Sequence, residues 1–97
     1  MAGNIKGSVV RVSDDGDLIT DIASAQLASA PRDTSVHVTV DDVHETFGLF
    51  GTEHDQPSMT LIAICDNDDP LRLHLVGDSA SMMLGVRAGA PVQVKWG

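Results

Sequence analysis

Short runs in which apolar and polar residues alternate dominate this sequence. The clearest is "SVHVTV" (35–40), where every second residue is a valine. A repeat of two residues is typical of a β-strand with one face in the core. Further segments of strand length, bounded by turn residues, are 7–13, 17–22, 43–50, 58–65, 71–76 and 91–97. The sequence therefore predicts an all-β fold, a small antiparallel barrel or sandwich of six to seven strands.

Turn residues between these runs predict two hairpins. Asp14, Asp15 and Gly16 separate the first two strands, and Asp and Gly tolerate the backbone angles that tight turns require. The segment "DNDD" (66–69) separates the strands at 58–65 and 71–76 in the same way. Both turns should join antiparallel neighbours.

One or two short helices are expected among the strands. The segment "DIASAQLASAP" (21–31) is rich in alanine, can use Asp21 as its N-cap and stops at a proline. The segment "DSASMMLG" (78–85) offers Asp78 or Ser79 as N-cap, and its last glycine suits the left-handed residue that ends a helix.

Length and charge limit the class of protein and its partners. A chain of 97 residues, 42% of them hydrophobic, fits a single domain spanning 1–97. The formal charge of −8 would repel phosphate backbones and anionic membranes, and the basic residues are too scattered to form a patch. We expect neither nucleic acid nor membrane as a partner. Because the core is modest, a homo-oligomer or a protein partner is the expected association.

Cysteine content bears on the cellular compartment. A single cysteine, Cys65, excludes an internal disulfide and a cysteine-based zinc cluster, and it fits a reducing environment. No apolar stretch approaches the about 18 residues of a membrane span, and the start lacks a signal-peptide core. We expect a cytoplasmic protein in which Cys65 is a small buried hydrophobe.

Few residues are candidates for a catalytic, metal-binding or ligand-binding role. Carboxylates crowd "DDGDLITDI" (14–22), but their order does not match a calcium loop. The four histidines lack zinc spacing, and alternation places His37 and His74 on polar faces as surface residues. We predict no metal, no cofactor and no catalytic residue. For Phe50, in "GLFG", core packing is the favoured interpretation and an exposed contact residue is the alternative.

A series of motifs in a shared order spans nearly the whole chain. It comprises "GSVVRVSD" (7–14), "DGDLITDI" (15–22), Thr46-Phe47, "TLIAIC" (60–65), "LRLHLV" (71–76), "SASMMLGV" (79–86) and "GAPVQV" (89–94). In this order the chain resembles the C-terminal domain of the S-adenosylmethionine hydroxide adenosyltransferase family, which includes fluorinases and chlorinases. The resemblance implies an all-β barrel. It also implies an adenosyl site shared with the N-terminal domain of a neighbouring subunit.

This sequence departs from the family at the positions whose residues contact the ligand. An aromatic residue, two asparagines and a helix-start asparagine of the family are here Asp15, Asp17, Asp21 and Ser79. A carboxylate keeps the acceptor but loses the donor that an amide offers to an adenine edge. The family's main catalytic residues belong to the N-terminal domain, which this sequence lacks. We therefore expect no cleavage of S-adenosylmethionine by this chain alone.

Three hypotheses for function remain. The favoured one is a non-catalytic domain that acts by self-association or protein binding. The alternative is a module for an adenosyl-type ligand, or the smaller half of a split enzyme that cleaves S-adenosylmethionine. Its ligand contacts would be Asp17, Asp21, Phe50 and Ser79. An acidic metal-dependent enzyme is the least favoured, because it rests on the number of carboxylates alone.

Overall fold

The computed structural model describes residues 3–27, 30–31, 35–51, 55–65 and 69–96. Eight strands and one helix account for most of this part of the chain. They are β1 (Gly3–Val12), β2 (Leu18–Thr20), β3 (His37–Val40), β4 (His44–Phe47), β5 (Leu49–Phe50), β6 (Leu61–Ile64), β7 (Arg72–Leu75), α1 (Ala80–Leu84) and β8 (Pro91–Trp96). A short 3₁₀ turn covers Ser24–Leu27.

The strands form one sheet that nearly closes into a barrel. Their order is β4-β3-β8-β1-β2-β7-β6-β5, and every neighbouring pair is antiparallel except β5 and β6. The two edge strands, β4 and β5, are consecutive in the chain and are separated only by Gly48. Across the remaining gap, Thr46 Oγ1 donates to Leu61 O at 2.7 Å. One segment therefore connects both edges of the sheet.

The predicted all-β barrel is confirmed, with two differences in detail. Eight strands are present where six to seven were expected, because the segment 43–50 divides at Gly48, whose φ is 88°. The parallel β5–β6 pair replaces one of the expected antiparallel contacts. Both predicted hairpins, β1–β2 and β6–β7, are antiparallel. The "DNDD" turn of the second hairpin lies largely outside the described residues.

Alternation along the strands builds the core. On β3, Val38 and Val40 are fully buried, and their partners across the ladder are Val94 and Val92 of β8. Polar residues between them face outward, as the pattern predicts. Each buried valine or leucine contributes about 1.5–3 kcal/mol to folding. Cys65 is also buried and forms no disulfide, which confirms its prediction as a buried hydrophobe.

Helix α1 lies across one end of the barrel. Ser79 is its N-cap, accepting from Met82 N at 3.2 Å, and Gly85 ends it with φ 70°. Of the two N-caps that the sequence offers, Asp78 and Ser79, the structure uses Ser79, and Gly85 is the predicted end. Ser81 N donates to Gly16 O at 2.9 Å, and His44 Nε2 donates to Leu84 O at 3.1 Å. The helix therefore spans from the β1–β2 turn to the start of β4. We call this end of the barrel the α1 end.

The predicted helix over 21–31 is largely wrong. Only a four-residue 3₁₀ turn forms, and Gln26 Oε1 accepts from Ala23 N at 2.9 Å. Asp21 is not an N-cap, because the turn begins three residues later, at Ser24. Its Oδ1 instead accepts from Ser8 N of β1 at 2.9 Å. Residues 28 and 29 lie outside the described part.

The β3–β4 turn at the α1 end uses two aspartates in the left-handed region. Asp41 and Asp42 have φ of 56° and 59° and are the central residues of a β-turn closed by Val43 N, which donates to Val40 O at 3.3 Å. Asp41 N donates to Pro91 O at 2.7 Å, which fastens the turn to β8. Both carboxylates are exposed.

Within the described residues, no helix is long and apolar enough to cross a bilayer.

Gly16 provides a test of how α1 is seated. Its φ is 87°, and a Cβ there would collide with the Ser79 side chain, whereas Gly85 also has positive φ but open space around it. We expect Gly16→Ala to lower the free energy of unfolding by about 2–4 kcal/mol, and Gly85→Ala by about 1 kcal/mol. Urea denaturation measures both. Equal losses would show that the Gly16–Ser79 contact adds nothing to backbone strain.

Candidate functional site

The four residues predicted to contact a ligand lie in three separate parts of the structure. Asp17 follows Gly16, which packs against Ser79 at the start of α1. Asp21 lies at the other end of β2, about 13 Å away along an extended chain. Phe50 belongs to β5, and two strands separate it from β2 in the sheet. The four side chains therefore do not form one cluster.

Asp17 lies on the outer face of the barrel, in a small ionic cluster. Leu18 and Thr20 point inward on β2, so Asp17 faces out beside the two polar residues of β7, Arg72 and His74. His74 Nδ1 lies 2.6 Å from Asp17 Oδ1, and Arg72 Nε lies 3.7 Å from Oδ2. We call these three residues the Asp17 cluster.

The carboxylate of Asp17 is almost removed from solvent. Its side chain is only 5% exposed, while those of Arg72 and His74 are 33% and 25% exposed. Arg72 Nε is itself buried without a hydrogen-bond partner, so its contact with Asp17 is a charge interaction. Burying a carboxylate is costly unless it is paired, and the two bases supply the pairing. The cluster ties β2 to β7 on the surface of the sheet.

Backbone contacts hold Asp17 in place. Ser13 Oγ accepts from Asp17 N at 3.1 Å, and Ser13 N donates to Asp17 O at 2.9 Å. These bonds close the turn at 13–17 below Gly16. An Asp–His pair can orient an imidazole for proton transfer, as it does in hydrolase triads. The nearby hydroxyl of Ser79 is engaged as a helix cap. The Asp17 cluster, which we also call the ionic clamp, therefore has a structural role in joining β2 to β7.

Gly16 and Ser79 are packed against each other. The space that a Cβ on Gly16 would need is already filled by the Ser79 hydroxyl and its Cβ. Ser79 N donates to Asp78 Oδ1 at 2.8 Å, which orients the start of the helix. This contact leaves no room for a ligand group between the two residues. An adenosyl group would have to bind on the outer side of the pair.

Two shallow pockets occur on the described surface, and one of them borders the Asp17 cluster through Arg72. One, of about 160 Å³, is lined by Arg11, Ile19, Asp69, Pro70 and Arg72. The other, of about 210 Å³, is lined by Lys6, Gly7, Asp42, Pro91, Val92 and Gln93. Sites that enclose small organic ligands usually have about 300–1,000 Å³. Both pockets are small for a nucleoside.

His37 and His74 make contacts that alternation along their strands does not predict. His37 lies on the outer face of β3, as predicted, where its ring stacks on Phe47 at 4.8 Å and its Nε2 lies 2.9 Å from Glu45. His74 is drawn into the Asp17 cluster and is less exposed than expected. Among the described residues, no group of three or more His, Cys, Asp or Glu side chains is placed to hold a metal ion. His54 lies outside the described part.

Four of the seven exposed large apolar side chains among the described residues lie at the α1 end, and the other three, Val10, Val12 and Phe47, lie on β1 and β4. Met82 is 84% exposed, Val43 72%, and Met59 and Met83 53% each. Val43 precedes His44, which bonds to the end of α1, and Met59 N donates to Val76 O just before α1 begins. Phe47, 48% exposed, lies lower on β4 and belongs to a different surface. We call Val43, Met59, Met82 and Met83 the apolar end patch.

These features define a small all-β barrel domain with one end capped by a short helix. No protein-family model matches the sequence, and no curated protein matches it. A solved structure, an uncharacterized conserved protein from Thermotoga maritima, is similar with a TM-score of 0.74 and 22% identity. The match covers 92% of this chain and 34% of that protein, so this chain spans about a third of its length. At this identity the similarity shows the fold alone.

Asp17→Asn tests the structural role of the ionic clamp. Removing the charge leaves Arg72 and His74 without their shared anion, so the free energy of unfolding should fall by about 2 kcal/mol. Asp15→Asn, at an exposed position in the same turn, should change it by less than about 0.5 kcal/mol. Urea denaturation of both variants makes the comparison. If Asp17→Asn leaves the free energy of unfolding unchanged, the ionic clamp does not stabilise the fold.

Proposed function

We propose that this chain is a non-catalytic domain, related in architecture to the C-terminal domain of the S-adenosylmethionine hydroxide adenosyltransferases, that acts by self-association or protein binding. The observation that carries the proposal is the apolar end patch. Exposed apolar groups collected in one region of a small soluble-type barrel are typical of a protein interaction site. Three of the four are methionines, whose flexible side chains adapt to varied partners.

The arrangement of polar residues supports the non-catalytic part of the proposal. The ionic clamp holds Asp17 buried between Arg72 and His74, so its carboxylate is not presented to a ligand. Asp21 accepts from the backbone of Ser8, which occupies one of its oxygens. The resemblance places the family's catalytic residues on another domain. We further propose a cytoplasmic location, which suits a chain with a single cysteine, since disulfides are rare in that compartment.

Association can be measured directly. Size-exclusion chromatography with light scattering should give a mass above that of the 10.2 kDa monomer, or a pull-down should retain a stoichiometric protein partner. Met82→Asp should abolish either result, because it places a charge in the apolar end patch. Phe47→Asp, at an exposed position outside the patch, should leave it intact. A strict monomer without any partner would contradict the proposal.

The alternative is an adenosyl-type ligand module, possessing its own site or completing one with a separately encoded half. One observation favours it, the contact of Ser79 with Gly16, the residue that directly precedes Asp17. Titration calorimetry with S-adenosylmethionine and with adenosine should then give heat that Ser79→Ala reduces and Ser81→Ala does not. Absence of heat at about millimolar ligand would dispose of stand-alone binding. A gene for an isolated adenosyltransferase N-terminal domain beside this one would support the split enzyme.

A further inference from the structure

We propose that the α1 end binds a basic, amphipathic segment of a partner protein. This inference rests on the proposed function and specifies the chemistry of the partner. Two features of the α1 end carry it, the apolar end patch and a set of carboxylates around it. Together they give one end of the barrel both exposed apolar side chains and exposed carboxylates.

The carboxylates come from three turns that converge on the α1 end. The β1–β2 turn contributes two, the β3–β4 turn two and the turn before α1 one, and all are exposed: Asp14, Asp15, Asp41, Asp42 and Asp78. Antiparallel pairing brings these turns to the same end, since β2 and β7 meet at Leu18 and Leu73 and β3 and β8 meet at Val40 and Val92. Asp41 is fastened to β8, and Asp78 to α1.

Basic residues offset only part of this charge, since Lys6 lines a pocket together with Asp42 of the β3–β4 turn. Arg87, in the segment between α1 and β8, is the single Lys or Arg among the described residues of 13–17, 41–43, 58–60 and 76–90. Both lysines of the described chain, Lys6 and Lys95, lie on the outer face of the sheet formed by β1 and β8. Among the described residues, the five carboxylates therefore leave the α1 end with a net negative charge.

The negative charge of the α1 end favours one kind of partner over others. Two copies meeting through their α1 ends would place ten carboxylates against two arginines, so a symmetric dimer is opposed by charge. Phosphate and anionic lipid are repelled for the same reason. A segment rich in lysine or arginine would be attracted, and its apolar side chains could pack on the methionines. An amphipathic helix with both kinds of side chain fits the surface best.

A synthetic peptide supplies the probe. We would use a fluorescein-labelled peptide of about 18 residues with Leu at helical spacing and Lys elsewhere, and an otherwise identical peptide with Glu for Lys. Fluorescence anisotropy should show binding of the Lys peptide and none of the Glu peptide. Raising NaCl from about 50 mM to about 500 mM should weaken binding about tenfold or more.

Matched variants locate the contact. Asp41→Asn and Asp42→Asn each remove one charge but keep the left-handed turn, because asparagine favours that conformation. Each should weaken binding about threefold, whereas Asp69→Asn, exposed at the opposite end of β7, should have no effect. Met82→Ser should weaken binding about tenfold and Phe47→Ser should not. Circular dichroism confirms that each variant is folded.

The outcomes separate this inference from the proposed function. Binding that depends on charge and on Met82 supports the inference. If the Lys peptide does not bind while the chain forms an oligomer that Met82→Asp disrupts, the proposed function stands and a basic partner is refuted. If the peptide binds equally well to the Asp41→Asn and Met82→Ser variants, the contact is nonspecific and the inference falls. A monomer that binds neither peptide nor protein overturns both.

Discussion

The architecture depends on one short interruption, at Gly48, in the segment that carries both edges of the sheet. The left-handed backbone there divides what would be one strand into β4, which pairs with β3, and β5, which pairs with β6. Gly48 N donates to Val36 O at 2.9 Å, so the bend is also tied to the core side of the barrel. Without this break the two edges would remain open, and exposed edges invite association with other chains. At the start of β4, His44 Nε2 donates to Leu84 O at the end of α1.

From that closure follows a division of the molecule into regions with different chemistry. The inside is apolar and closely paired, as in Val38 and Val94. The outer face of the sheet carries lysines, the stacked pair of His37 and Phe47, and the ionic clamp of Asp17. The α1 end carries exposed methionines and carboxylates. The described pockets are small for a nucleoside and the Asp17 carboxylate is buried, so the α1 end is the surface that we propose for binding.

Much of the fold was accessible from the sequence, because alternation and turn chemistry are local signals. "SVHVTV" predicts its buried and exposed faces correctly, and the caps of α1 at Ser79 and Gly85 follow from residue type. The ionic clamp could not be predicted, because Asp17 and His74 are 57 residues apart and meet only if β2 pairs with β7. Asp21 was assigned to a helix for a similar reason, since its partner Ser8 lies on another strand. Local patterns do not reveal which strands become neighbours.

The central claim is that the α1 end is the surface through which this protein works. The most direct measurement is a nuclear magnetic resonance titration of the ¹⁵N-labelled protein with the Lys-rich amphipathic peptide. The account predicts that shifted amides map to the turns at 13–17 and 41–43 and to α1, while amides of His37, Gln93 and Lys95 stay in place. Shifts centred on the outer face of β3 and β8, with α1 unaffected, would contradict it.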